Sequence, residues 1–225
     1  MTQSILIIGA SRGLGLGLAH AFSREGWAVT ATVRDQHNAP ALATLPQAEV
    51  ETLDMTDTAS VAALAERLQG RVFDVVFVNA GVSGPRVNHA GEAEPSAVAE
   101  LFLTNTVAPV RLAERLLPNV APAGVLVFMS SIMGSVEAGP GMGMPLYGAS
   151  KAALNHLVRS FALGLEAGAP TVLLMHPGWV RTDMGGEQAP LDIETSCQGM
   201  LKQVIAAAGQ GGIRYVDYEG STLPW

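Results

Sequence analysis

Ser4-Ile5-Leu6-Ile7-Ile8-Gly9-Ala10-Ser11-Arg12-Gly13-Leu14-Gly15 is the stretch on which the fold turns. A short apolar run, residues 4–8, enters glycines spaced G-x-x-x-G-x-G, and a helical pattern follows over 13–25. An apolar run without polar alternation predicts a strand covered on both faces. Glycine lets the chain turn sharply and lets main-chain N–H groups approach a ligand with no Cβ in the way. The helix start that follows offers unpaired N–H groups and partial positive charge to an anion such as a pyrophosphate. Gly9, Ser11, Arg12, Gly13, Leu14 and Gly15 are therefore expected to hold a phosphate-bearing ligand. The spacing is not the G-x-G-x-x-G fingerprint, because Leu18 or His20 stands where the third glycine belongs. Residues 9–13 also read as G-x-S-x-G, the nucleophile elbow of esterases. That elbow needs an oxyanion loop from an earlier strand, and only one strand precedes this serine.

Outward from this turn, short Val/Ile/Leu-rich runs alternate with longer helical ones. Strands are expected at 4–8, 27–33, 73–78, 124–129 and 170–175, with a weaker one at 49–53 and a late one at 213–217. Helices are expected at 13–25, 57–68, 96–117 and 147–167, the second opening on Asp57 as N-cap. Strand–helix alternation along the whole length predicts one α/β domain over residues 1–225. Its architecture is a Rossmann-like doubly wound parallel sheet of about seven strands with helices on both faces.

Composition narrows the function. The 225 residues are 48% hydrophobic and 15% charged, enough to bury a core without metal or disulfide. A net charge of −7 argues against nucleic acid or an anionic membrane as partner. No apolar run approaches the ~18 residues that span a bilayer. No basic n-region and h-region mark a signal peptide. The single cysteine, Cys197, cannot form an internal disulfide, so a reducing cytoplasm is the expected compartment. Among the five histidines no ligand spacing such as H-E-x-x-H occurs, and no metal site is expected. Cys197 reads as a small packing residue.

Three further features carry chemistry. Tyr147 and Lys151 lie at i and i+4 at a helix start, on one face, and an ammonium nearby lowers a phenol's pKa. Ser130-Ser131 ends an apolar strand at the carboxyl edge, where doubly wound sheets bind ligands. Strand alternation puts only one of the two on that face. Asn105 precedes Pro109 by one helical turn, and proline's missing N–H frees the Asn105 carbonyl to hold a water.

These residues resemble the short-chain dehydrogenases/reductases, nearest to the C-factor-like and sniffer-type carbonyl reductase branch. The glycine turn, Asn79-Ala80-Gly81, Asn105, Ser131, Tyr147 with Lys151, and His176-Pro177-Gly178 match that family's motifs in order along nearly the full chain. The run from His176 to Gly186, the ending from Asp217 to Trp225 and the long spacing from Ser131 to Tyr147 carry the likeness to the branch. Ile8 departs from the threonine common there and loses a side-chain hydrogen bond in the turn.

The resemblance implies an oxidoreductase that reduces a carbonyl, or oxidises the alcohol, by hydride transfer. Tyr147 is implied as general acid/base, Ser131 as the group steadying the oxygen, and Lys151 as the ribose ligand. The Asn105 carbonyl is implied as anchor of a relay water. It also implies cofactor contacts from Asn79, Ala80, Gly81, Tyr147, Lys151, Pro177, Gly178, Val180 and Thr182, with Asp54 and Met55 flanking the adenine. Arg34, at the end of the second strand, stands where an acidic residue would bind the ribose of NAD. With Arg12 it points to the 2′-phosphate of NADP(H), preferred over NAD(H). Residues 179–190 are expected to cover the nicotinamide, with Met142, Met144, Trp179 and Met184 forming an apolar pocket. Arg181 and Asp183 receive no role from sequence. The partner is a small carbonyl or alcohol, and the long helices allow a homodimer or homotetramer. The alternative is a dinucleotide-binding signalling or regulatory protein with little turnover.

Overall fold

The computed structural model describes residues 2–35, 40–140 and 143–225. Seven strands form one parallel sheet: β1 (Ser4–Ile8), β2 (Ala28–Val33), β3 (Glu49–Thr52), β4 (Phe73–Val78), β5 (Val120–Met129), β6 (Thr171–His176) and β7 (Ile213–Asp217). Their order is β3-β2-β1-β4-β5-β6-β7. The chain thus winds outward from β1 in one direction and then restarts at β4 in the other. That reversal opens a crevice beyond the carboxyl ends of β1 and β4, where such sheets bind ligands.

The apolar strands are apolar because both sheet faces are covered. Ile5 and Ile7 of β1 pack with Phe22, Val75, Val127 and Met200, under helices α1 (Gly13–Arg24) and α6 (Ile193–Ala207). Leu6 and Ile8 face the other way, into Leu64, Val76, Leu112, Phe128 and Leu154. Helices α2 (Thr58–Arg67), α4 (Ala108–Leu116) and α5 (Pro145–Leu163) cover that side. Asp57 caps α2 as expected, its carboxylate accepting from the Ala59 N–H at 2.9 Å.

Two helices differ from their sequence outlines. The stretch expected as one helix over 96–117 is divided into α3 (Pro95–Phe102), a π turn (Leu103–Val107) and α4. Pro109 cannot donate, and the backbone responds by widening, so that Ala108 N–H reaches the Leu103 carbonyl. Helix α5 begins two residues before Tyr147, at Pro145, whose fixed φ suits a first helical position. It ends at Leu163, short of the expected Ala167.

Candidate active site

The glycine turn is held between β2 and β4. Gly9 N–H donates to Thr32 Oγ1 at 3.0 Å, and Ala10 N–H to the Thr32 carbonyl at 2.9 Å. Asn79 Nδ2 donates to the Gly9 carbonyl at 2.7 Å, while Asn79 and Ala80 N–H both reach the Ile8 carbonyl. Gly9 has φ +83°, and a Cβ there would lie 2.6 Å from that of Ala80. At Gly15 a Cβ would lie 2.1 Å from the Gly9 carbonyl oxygen. Only glycine fits either place. The first turn of α1 carries no acidic side chain and no side-chain cap, so its N–H groups meet the crevice uncompensated. Ser11, Gly13 and Leu14 are half-buried beside them. Such a cradle fits a pyrophosphate. Ile8 is buried in the core, and the hydroxyl that holds the turn comes instead from Thr32 of β2. Nothing in the spacing of the glycines points to that threonine.

Arg34 is exposed at the end of β2; hydrogen bonds from Thr56, with a smaller contribution from the Arg34 charge, hold the Asp54 carboxyl below its usual range. Asp54 accepts from the Thr56 N–H and hydroxyl, whereas Met55 is buried under the sheet. Arg111 of α4 donates to the Thr56 carbonyl at 3.0 Å and braces this loop.

Across the sheet, Ser131, Tyr147 and Lys151 converge. Ser130 turns inward, its hydroxyl donating to Asn155 Oδ1 at 2.6 Å, so Ser131 is the serine on the active face. The Ser131 side chain faces the Tyr147 phenol and favours its ionised form, and its hydroxyl accepts from Met133 N–H at 3.2 Å. Lys151, only 3% exposed, donates to the Met129 carbonyl at 2.8 Å, with its Nζ 5.8 Å from the centre of the Tyr147 ring. Burial pushes the Tyr147 phenol up to about 12 and the Lys151 ammonium down to about 8. The sequence reading that the lysine lowers the phenol's pKa does not describe the protein alone. Desolvation is the dominant cause for both groups, and the ammonium donates to Met129 with its Nζ 5.8 Å from the ring centre.

Asn105 is fully buried, and its side chain clamps the loop after β4. Its Oδ1 accepts from Val82 N–H and its Nδ2 donates to the Val82 carbonyl, each at 2.8 Å. The same Nδ2 reaches Ser150 Oγ at 3.1 Å, tying the π turn to α5. A Cβ at Gly81 would lie 3.2 Å from Asn105 Oδ1 and 3.6 Å from Lys151 Nζ. The loop thus passes directly over both side chains.

Beyond β6, the Pro177 carbonyl accepts from Ser196 Oγ at 2.6 Å, and Gly178 takes φ +84° against Leu191 and Tyr218. Val180 is buried, and Thr182 lies over the glycine turn, its Cγ2 3.9 Å from where a Gly13 Cβ would be. Arg181 staples the base of the flap formed by residues 179–190, donating to the Ala189 and Pro190 carbonyls at 3.0 and 2.9 Å. Asp183 pairs with Arg12 of the glycine turn, so flap and turn are bridged by charge. The expected apolar pocket is not assembled here: Trp179 and Met184 are both exposed, Met144 is half-buried at the start of α5, and Met142 lies outside the described residues. Cys197 is buried, its thiol facing the Leu14 carbonyl and pushed up to about 12 by desolvation. It is a packing residue, not a nucleophile. Among the described residues no group of three His, Cys, Asp or Glu could hold a metal, and no helix is long and apolar enough to cross a membrane.

Comparison with known proteins agrees with this fold. The family model described as short chain dehydrogenase matches residues 3–191. The C-signal protein of Myxococcus xanthus is 36% identical over 154 residues, covering 68% of this chain and 92% of its own. A carbonyl reductase of Pseudomonas aeruginosa solved in complex with NADP is 44% identical, with a TM-score of 0.93 and full coverage of both chains. The carbonyl reductase Sniffer of Drosophila melanogaster is 30% identical, with a TM-score of 0.89 and full coverage of both. The chain belongs to the short-chain dehydrogenase family of oxidoreductases, in its C-factor-like and sniffer-like branch.

Proposed function

We propose that this chain is an NADPH-dependent carbonyl reductase in which Tyr147 is the general acid. The observation that carries the reading is the convergence of Ser131, Tyr147 and the buried Lys151 at the carboxyl edge of the sheet. When bound, the cofactor supplies a hydride. Gly9, Ser11, Gly13, Leu14 and Gly15 would hold its pyrophosphate. Arg34 and Arg12 would hold the 2′-phosphate, which favours NADP(H) over NAD(H). Asp54 and Met55 would border the adenine. Asn79, Ala80, Gly81, Pro177, Gly178, Val180 and Thr182 would line the remainder.

The chain's own residues then handle the proton. A phenol pushed up to about 12 keeps its proton throughout the neutral range, the form needed to donate to a carbonyl oxygen as negative charge develops there. The Ser131 hydroxyl steadies the same oxygen. Lys151, with one proton on Met129, has others for the ribose hydroxyls, and the Asn105 carbonyl anchors the water that resupplies the proton. The flap from Trp179 excludes water from the reacting atoms. Work in a reducing cytoplasm suits the buried unpaired thiol of Cys197.

The test is Tyr147→Phe. Reduction of a broad carbonyl panel is expected to fall by roughly 10²–10⁴-fold, the usual worth of a positioned proton donor, with NADPH binding unchanged. The likeness to C-signal supports a second reading, a dinucleotide-binding regulatory protein. A wild type that binds NADPH but reduces nothing across the panel selects it.

A further inference from the structure

Tyr215 belongs to β7, two strands away from β5, yet its hydroxyl reaches the active serine. It is 1% exposed, and its Oη donates to the main-chain carbonyl of Ser131. Ser130 and Asn155 are polar neighbours of the same phenol. Asn155 in turn accepts from Ser130 Oγ at 2.6 Å and donates to the Gly134 carbonyl at 3.2 Å. The short turn that follows β5, Ile132–Gly134, is therefore gripped at both ends, at Ser131 by Tyr215 and at Gly134 by Asn155. The outer side of Tyr215 is covered as well. The ring of Trp225 lies 5.8 Å away, with the Arg159 guanidinium 5.7 Å over the indole and Ser135 Oγ donating to the Trp225 carbonyl at 3.5 Å.

A phenol wholly inside a core needs one acceptor, and many would satisfy it. This one uses the carbonyl of the residue whose hydroxyl meets Tyr147. The peptide plane of Ser131 sets the direction of its Cα–Cβ bond, and so the aim of its hydroxyl. We propose that Tyr215 is a positioning residue, acting on the reaction through the main chain of Ser131. The inference rests on Ser131 having the role proposed above.

The experiment is a double-mutant cycle on the full chain: wild type, Tyr215→Phe, Ser131→Ala and the pair, each assayed for kcat, KM and NADPH affinity. Tyr215→Phe is expected to lower kcat by about ten- to a hundredfold, the scale of a misplaced catalytic group, with NADPH affinity unchanged. In the Ser131→Ala background the same change is expected to cost nothing more. Trp225→Ala, which leaves the hydroxyl and removes the ring over it, is expected to act in the same direction and also only when Ser131 is present. This variant carries the test if Tyr215→Phe does not fold. A Tyr215→Phe enzyme with wild-type kcat overturns the inference, as do losses that multiply in the double variant, which a merely structural role produces. If Ser131→Ala is as active as wild type, or wild type does not turn over, both this inference and the role of Ser131 fall.

Discussion

Lys151 and Tyr147 share one helical face, and the ammonium, 5.8 Å from the centre of the Tyr147 ring, donates to the Met129 carbonyl at 2.8 Å. A buried ammonium with a single main-chain acceptor is poorly compensated for lost water, and its pKa sits near 8 for that reason. The consequence is a pH dependence of stability. Between about 8 and 10.5 the unfolded chain holds this proton and the folded chain does not, so stability rises with pH across that window. The full effect is roughly 3 kcal/mol. Tyr147 acts oppositely: its folded pKa is raised from 10 to about 12, so stability falls from pH 10 upward. Urea unfolding of the cofactor-free protein at pH 7, 8 and 9.5 is expected to show a rise that Lys151→Met lacks. Equal slopes in the two proteins contradict the assignment.

The Arg12–Asp183 pair spans the glycine turn and the flap, with both side chains more than two-thirds exposed (71% and 78%). An exposed pair contributes little to stability, about 0–1 kcal/mol. It does place a carboxylate on the guanidinium expected to hold the 2′-phosphate. Arg12→Ala and Arg34→Ala are each expected to weaken NADPH by roughly ten- to a hundredfold, the loss of a charged hydrogen bond, and to leave NADH unchanged. Asp183→Asn is expected to tighten NADPH about two- to fivefold by removing the competitor. Parallel calorimetric titrations with the two cofactors decide it, and an unchanged NADPH/NADH ratio in the arginine variants rejects the assignment.

Gly15 is expected to tolerate no side chain, because a Cβ would lie 2.1 Å from the Gly9 carbonyl oxygen. Gly15→Ala should cost at least ~1–3 kcal/mol in overpacking and abolish cofactor binding. Gly91→Ala is the control, since nothing lies within 4 Å of the added atom. Thermal melts with and without NADPH are expected to separate the two, and a Gly15→Ala protein that still gains stability from NADPH refutes the cradle.

Asn105→Ala leaves the Val82 N–H and carbonyl without their side-chain partners and frees the loop after β4 from α5. Two unpaired main-chain groups predict a loss of roughly 2–4 kcal/mol. The turnover defect is expected to exceed any change in NADPH affinity, because Gly81 and Lys151 border the same side chain. A variant of wild-type stability contradicts the clamp.

The sheet was legible because its strands are buried on both faces. Runs such as residues 4–8 and 73–78 show no polar alternation, and their limits coincide with β1 and β4. Helix limits were less legible. The run over 96–117 keeps its apolar spacing through Pro109, and periodicity alone does not register that the backbone widens into a π turn there. In the candidate site, Gly9, Gly15, Tyr147 and Lys151 could be read because their chemistry depends on near neighbours in the chain. Thr32, Met129 and Tyr215 could not, since each reaches the site from a different strand.

The amino-acid sequence by itself determined the parallel sheet, the sharp turn before α1 and the family. These follow from local steric and hydrophobic rules: apolar runs, glycine where no Cβ fits, and an i, i+4 pair on one helix. Only the tertiary structure decided which of Ser130 and Ser131 faces Tyr147. It also decided that burial sets the direction of the Tyr147 and Lys151 pKa shifts, and that β7 supplies a phenol to the Ser131 carbonyl. Those outcomes depend on desolvation and on contacts between strands far apart in the chain, and neither quantity exists until the sheet has closed around them.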